Sequence, residues 1–240
     1  MKNLALSILT LAVFTCLVSC KKNKDNNPPL TTNANNLSNV SGILYSEYYI
    51  IDSTAFMPAV QGQDAMGDFF TAPGAFNSIT LPVGVSVNGM PLEIDGDSVG
   101  YFGAGIDMAG NCSWNITGNS IIPSFSFNFT EAYPTVTGSV PDSIDKSQGV
   151  TFNFSFGGAD SVFIVVGSDA MGQPIGKSFS TSSLSQSFTA SELANIFTST
   201  TLGYETYVMV YAHNLTVQNF GGKDFAFVKT LLHTYTAWTH

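Results

Sequence analysis

The sequence predicts an all-β protein: two tandem antiparallel β-sandwiches behind an N-terminal signal segment and a flexible tether. Three observations predict it. Apolar and polar residues alternate with a period of two in runs such as Phe125-Ser126-Phe127-Asn128-Phe129 and Phe152-Asn153-Phe154-Ser155-Phe156. Asn88-Gly89 stands between two such runs, and both residues of that pair accept the positive φ a tight hairpin requires. Helix-start chemistry is confined to Thr189-Ala190-Ser191-Glu192, which has capping-box spacing before Leu193, Ile196 and Phe197.

Residues 1–19 read as a signal peptide. Lys2 precedes an uncharged apolar run from Leu4 to Val18, short for a membrane-spanning helix and suited to a signal-peptide core. No later run is long enough to cross a membrane as a helix, so everything after Cys20 is expected outside the cytoplasm. From Lys21 to about Leu37 the chain is Lys, Asn, Asp, Pro and Thr with almost nothing apolar. Residues 20–37 therefore read as a leash, because they bury too little to offset the entropy of ordering them.

Leu17-Val18-Ser19-Cys20 is similar to the lipobox of bacterial lipoproteins. The resemblance implies that Cys20 becomes the first residue of the mature chain and carries a diacylglyceryl thioether, hence an outer-membrane lipoprotein. Several acyl chains, at about 0.8 kcal/mol per buried methylene, make such an anchor effectively permanent. Lys21-Lys22-Asn23-Lys24-Asp25 departs from the acidic cluster of surface-exported lipoproteins, which favours a periplasm-facing location.

The clearest hairpin is Val83–Val87, Asn88-Gly89 and Met90–Ile94, with Val87 facing Met90, Val85 facing Leu92 and Val83 facing Ile94. Pro91 then falls opposite Ser86 at a non-hydrogen-bonded position, where its missing N–H costs nothing. Val162 to Val166 is a continuous apolar run, as in a strand covered on both faces. Tyr204 to His213 and Asp224 to Leu232 supply two further strands.

Pro134, Gly138 and Pro141 mark a break, dividing the body into an N-terminal sandwich at 38–133 and a C-terminal one at 134–240. The second unit resembles an immunoglobulin-like domain in its strand spacing and in Tyr207-Val208-Met209-Val210-Tyr211-Ala212, which looks like a penultimate strand. The first is expected to be immunoglobulin-like or jelly-roll-like. The whole chain resembles the two-domain lipoproteins common in Bacteroidetes. Gly62-Gln63-Asp64-Ala65-Met66-Gly67 is echoed in Gly167-Ser168-Asp169-Ala170-Met171-Gly172, which reads as the coincidence of two turn-like segments.

Charge removes whole classes of function. The 240 residues carry a formal net charge of −9, and all eight cations are lysines. A nucleic-acid partner needs a basic footprint, and an arginine fork for phosphate or carboxylate is absent. Cys112, the cysteine left after Cys16 departs and Cys20 is lipidated, alternates with Trp114 and Ile116 and reads as a buried apolar residue. Gly100, Gly103, Gly105 and Gly110 make turns rather than a phosphate cradle, since no helix start or lysine follows. No cofactor is expected.

Three constellations bear on chemistry. Glu93, Asp95 and Asp97 alternate, so a continuing strand projects all three from one face. Glu93-Ile94-Asp95 resembles the carboxylate strand of one family of retaining β-glucanases, which makes a glycoside hydrolase using Glu93 and Asp97 the alternative function. The face offers no source of burial to raise an acid's pKa, so these acids are expected to be solvated. Asp95-Gly96-Asp97 lacks the rest of a calcium loop; of the histidines His213, His233 and His240 the first two would approach if the last strands pair, and since a metal needs at least a third ligand none is expected. No nucleophile-elbow sequence accompanies the serines.

The best binding argument lies in the aromatics Tyr45, Tyr48, Tyr49, Tyr101 and Trp114, which suit stacking on sugar rings. The expected function is therefore a non-catalytic binding, adhesion or scaffold protein of the cell envelope, held by its anchor and directed at a glycan or an envelope protein. Ser53, Ser98, Ser143 and Ser161 each follow an aspartate and precede Thr54 or an apolar residue, a pattern similar to O-glycosylation sites of Bacteroidetes-type envelope proteins.

Overall fold

The computed structural model describes residues 37, 39–53, 58–70, 84–94, 100–168, 174–196 and 204–240. In chain order the strands are β1 (Gly42–Ile51), β2 (Val60–Phe69), β3 (Val85–Val87), β4 (Met90–Pro91), β5 (Glu93–Ile94), β6 (Tyr101–Ala104), β7 (Cys112–Ile116), β8 (Phe125–Phe129) and β9 (Thr135–Thr137). There follow β10 (Ser143–Ile144), β11 (Val150–Phe152), β12 (Ser155–Gly157), β13 (Ser161–Ser168), β14 (Ile175–Phe179), β15 (Gln186–Phe188), helix α1 (Ala190–Ile196), β16 (Tyr204–Phe220) and β17 (Lys223–Thr239). The molecule is all-β, as the alternation in the sequence predicts.

A hairpin of two 17-residue strands, β16 and β17, is its spine, roughly 55 Å long at about 3.3 Å per residue. It pairs without interruption from Tyr204↔Thr239 to Phe220↔Lys223. Gly221 and Gly222 close it at φ 57° and 80°, the two positive angles of a tight turn whose twist matches the strands. Both strands run further than the stretches 204–213 and 224–232 that alternation suggests.

Around this spine a nine-stranded sheet is ordered β14-β13-β16-β17-β1-β2-β6-β5, with β10 pairing the far end of β17. Most pairs are antiparallel, but β1 lies parallel to β17 over its whole length, from Gly42↔Phe225 to Ile51↔Thr234. No turn connects those two strands, so no turn dictates their direction. One face of the sheet is inner for both halves of the molecule, because the odd residues of β17 point to it along the entire strand.

Two cores lie on that inner face. In the first, Leu44, Ala65, Phe69, Phe225 and Phe227 pack against Val85, Val87, Cys112, Trp114, Ile116, Phe125 and Phe129 of the four-stranded sheet β4-β3-β7-β8. In the second, Val162, Ile164, Val166, Val208, Val210, Tyr235 and Ala237 pack against Phe152, Phe154 and Phe188 of the short sheets opposite and against Leu193 and Ile196 of α1. There β9 pairs β12 and β11 pairs β15, facing β14-β13-β16-β17-β10 as the second layer of a β-sandwich. The capping box forms: Thr189 N donates to Glu192 Oε2 at 2.8 Å, and Glu192 N donates to Thr189 Oγ1 at 3.3 Å.

The sequence places a boundary between 38–133 and 134–240, and the main sheet crosses it. Phe225 and Phe227, from after the break, complete the core of the residues before it. Lys229 sits between the cores, fully buried, its Nζ donating to the carbonyls of Gly110 (3.0 Å) and Glu131 and lying over the rings of Phe129 and Tyr133.

The Asn88-Gly89 turn forms with φ of 50° and 79°, and Val87↔Met90 and Ser86↔Pro91 pair as expected. The hairpin then stops short of its expected length. Leu92 N donates to Val85 O at 2.8 Å, after which Glu93 and Ile94 cross to the main sheet and pair with Phe102 and Tyr101 of β6. The expected facing of Val83 and Ile94, which would set Glu93 opposite Gly84, is therefore corrected: burial of Leu92 and the Tyr101 side of β6 draws the chain over to the other layer. Gly62–Gly67 is the interior of β2, not a turn.

Candidate functional site

The outer face of the main sheet carries the unusual chemistry. Registry brings one row of side chains straight across five strands: Asp64 of β2, Glu47 of β1, Thr230 of β17, His213 of β16 and Ser161 of β13. Period-two alternation puts Tyr45 and Tyr49 beside Glu47, and Tyr211 beside His213, on the same face. Glu47 is 1% exposed, Asp64 5% and His213 3%.

Burial sets the protonation of this row. Removal from water, with the Asp64 charge opposite, pushes the Glu47 carboxyl up to about 8, and the Tyr45 hydroxyl lies 3.5 Å from its Oε2. Burial also raises Asp64 above the usual carboxylate range and pulls His213 down to about 4. At neutral pH Glu47 is thus protonated and His213 neutral. His213 Nδ1 is 2.6 Å from Thr230 Oγ1, its ring stacks near Tyr211 with centroids 6.1 Å apart, and its buried Nε2 has no hydrogen-bond partner among the described residues.

Next to the row the face opens into an aromatic platform. Tyr49 stands opposite Gly62, and a Cβ on Gly62 would lie 2.5 Å from Tyr49 Cζ, so the ring lies across the glycine. Tyr207 does the same over Gly167, where a Cβ would meet Cε2 at 2.5 Å. Phe163 covers Gly176. Trp238 stands diagonal to Tyr207 on the same face and is 48% exposed. Tyr49 and Tyr207 are half-buried, with Thr234 and Thr236 of β17 between them. Leu232, the partner of Tyr49 on β17, lies roughly 20 Å from Trp238 at about 3.3 Å per residue.

Of the aromatics chosen from the sequence, the fold separates more than it unites. Trp114 and Tyr101 are 0% and 5% exposed in the first core, and Tyr45 is 9% exposed, so these three are corrected from stacking surfaces to packing residues. Their strands are covered by the opposing sheet or by the end of the tether, where Leu37 and Val40 join Tyr45. Tyr48 and Tyr49 point to opposite faces, as adjacent strand residues must. Tyr48 is half-buried on the inner face, its hydroxyl 3.0 Å from Gln61 Oε1 and its ring 6.1 Å from that of Tyr133. Tyr207 and Trp238 are the residues sequence reasoning left out of the site. The alternation Tyr207-x-Met209-x-Tyr211-x-His213 was the available signal.

Glu93 is exposed, and Asp95 and Asp97 lie outside the described residues. His213 and His233 lie on opposite faces, since His213 pairs with Thr230 and His233 with Val210. His233 instead binds Asp52 Oδ1 through Nε2 at 3.0 Å. No group of three or more metal-ligating side chains occurs among the described residues. Cys112 is fully buried in the first core. Ser53 and Ser143 are exposed and Ser161 is half-buried, while Ser98 and Cys20 lie outside the described residues.

Comparison with protein-family models gives no match, and comparison with curated proteins gives none either.

Proposed function

We propose that the chain is a non-catalytic glycan-binding protein of the cell envelope, anchored through Cys20 to the outer membrane, facing the periplasm and holding sugar rings on the outer face of its main sheet. The observation that carries this reading is the trio Tyr49, Tyr207 and Trp238, with both tyrosine rings laid across glycines of the neighbouring strand. Flat, rigid rings present the apolar face of a stacking site at little entropic cost. Thr234 and Thr236 supply hydroxyls between them, and Glu205, opposite Trp238, supplies a carboxylate acceptor. The strongly acidic body disfavours anionic polysaccharides and favours a neutral one.

The glycosidase alternative has weaker support. Glu47 and Asp64 are two opposed carboxyls, both raised by burial, but both are covered, and a glycosidic oxygen has to reach the acid that protonates it. Glu93 is open to water, on the exposed edge strand β5.

A glycan array probed with soluble residues 21–240 tests the reading. Binding to a neutral glycan is expected, weakened roughly tenfold, about 1.4 kcal/mol, by Trp238→Ala and by Tyr207→Ala. Binding indifferent to both substitutions would remove the platform from the account.

A further inference from the structure

On the reading of the outer face as a glycan platform, we propose that the opposed carboxyls of Glu47 and Asp64 hold a single proton, on Glu47, and that its loss loosens the β1–β2 pairing beneath Tyr49 and weakens ligand binding in alkaline conditions. The two carboxyls stand directly opposite on antiparallel strands, where Cβ atoms are about 4.5–5.5 Å apart. The ring of Tyr49 rests on Gly62, two residues from Asp64 along β2. Any parting of these strands at Glu47 therefore moves the floor under the ring.

Among the described residues the groups facing Glu47 are Tyr45 and Tyr49 on its own strand, Asp64 on β2, Thr230 on β17, and His213 and Tyr211 on β16. None of these is a cation at neutral pH, because His213 is held neutral by burial. Lys229, on β17 beside β1, projects from the opposite face, where Gly110 and Glu131 hold its ammonium. A second negative charge on the row thus has no counter-charge among the described residues. The neutral donors at hand are the Tyr45 hydroxyl, 3.5 Å from Glu47 Oε2, and the Gly105 N–H, 3.4 Å from Asp64 Oδ1.

The pH dependence follows in sign. Glu47 rises from its usual 4.5 to about 8 on folding, so its stabilising effect is complete below 4.5 and lost as pH climbs to about 8. His213 falls from 6.5 to about 4, so its effect is present above 6.5 and lost as pH falls to about 4. Between 4.5 and 6.5 the two oppose each other. Between 6.5 and 8 the His213 effect is complete while the Glu47 effect is still being lost, and the folding equilibrium weakens by up to about tenfold per pH unit.

The experiment measures denaturant midpoints and amide exchange of β1 in soluble residues 21–240 from pH 5 to 9, for the native chain, Glu47→Gln and Asp64→Asn. A fall in stability above pH 6.5, absent in Glu47→Gln, is expected, with faster exchange confined first to β1 and β2. Asp64→Asn, which removes the neighbouring charge, should shift the fall to lower pH, and it decides the matter if Glu47→Gln does not fold. A flat native profile from pH 6.5 to 8.5, or the same fall in Glu47→Gln, would overturn the singly protonated pair. Affinity for the glycan found by array, followed over the same range, reads the link to the platform: loss above pH 7 in the native chain and retention in Glu47→Gln are expected. An affinity that falls equally in both would refute that link. Absence of any glycan ligand would count against the platform and the link, and the stability profile would still decide the proton.

Discussion

Phe227 and Tyr235 stand on the same face of the same strand, and they belong to two different hydrophobic cores. One strand, β17, thus completes both sandwiches, and the molecule cannot be divided between them without cutting through a core. Residues 134–240 expressed alone should expose Phe225 and Phe227, at a cost of about 1.5–3 kcal/mol each, together with the edge that β1 covers. The fragment is expected to unfold at lower denaturant than residues 21–240, with the longer chain showing one cooperative transition. Equal midpoints would mean that the cores are independent.

Lys229 pins the junction of those cores. Lys229→Met keeps the stem and removes two charge-assisted hydrogen bonds, worth about 1.5 kcal/mol or more each, leaving the carbonyls of Gly110 and Glu131 unpaired. A loss of about 3 kcal/mol is expected, or a melting point lower by roughly 6–12 °C. A change within about 0.5 kcal/mol would show that the ammonium contributes nothing net.

Gly62→Ala and Gly167→Ala separate the platform from the fold. The added Cβ strikes the outer end of a tyrosine ring, which can swing away from the sheet, and alanine is otherwise tolerated in a strand better than glycine. Stability should change by less than about 1 kcal/mol while the near-ultraviolet circular dichroism of the tyrosines changes and glycan affinity falls. Unchanged affinity with a displaced ring would argue against the tyrosines as the stacking surface.

The anchor rests on Leu17-Val18-Ser19-Cys20. Cys20→Ser should abolish lipidation and move the protein from the detergent phase to the aqueous phase on partitioning. A variant that still follows membrane lipid would point to another attachment.

Local signals were readable in the sequence because each is set by neighbours along the chain. Asn88-Gly89 forms its turn, Thr189 and Glu192 cap α1, and Val162 to Val166 is buried on both faces. The outer-face row was not readable, since Asp64, Glu47, Thr230, His213 and Ser161 come from five strands whose order nothing local specifies. The parallel placement of β1 beside β17 assembles it, and that pairing joins residues more than 180 positions apart. Tyr101 and Trp114 were misread for a related reason: alternation says that a residue faces one side, but not which side the second sheet covers.

The central claim is that ligand stacks on Trp238. The chain has two tryptophans, Trp114 with no exposure and Trp238 with 48%, so acrylamide quenching of the native fluorescence reports on Trp238. Titrating soluble residues 21–240 with the neutral glycan selected by array should shield the quenchable fraction and shift its emission to the blue. Saturable glycan binding that leaves both the quenching and the emission of Trp238 unchanged would contradict the account.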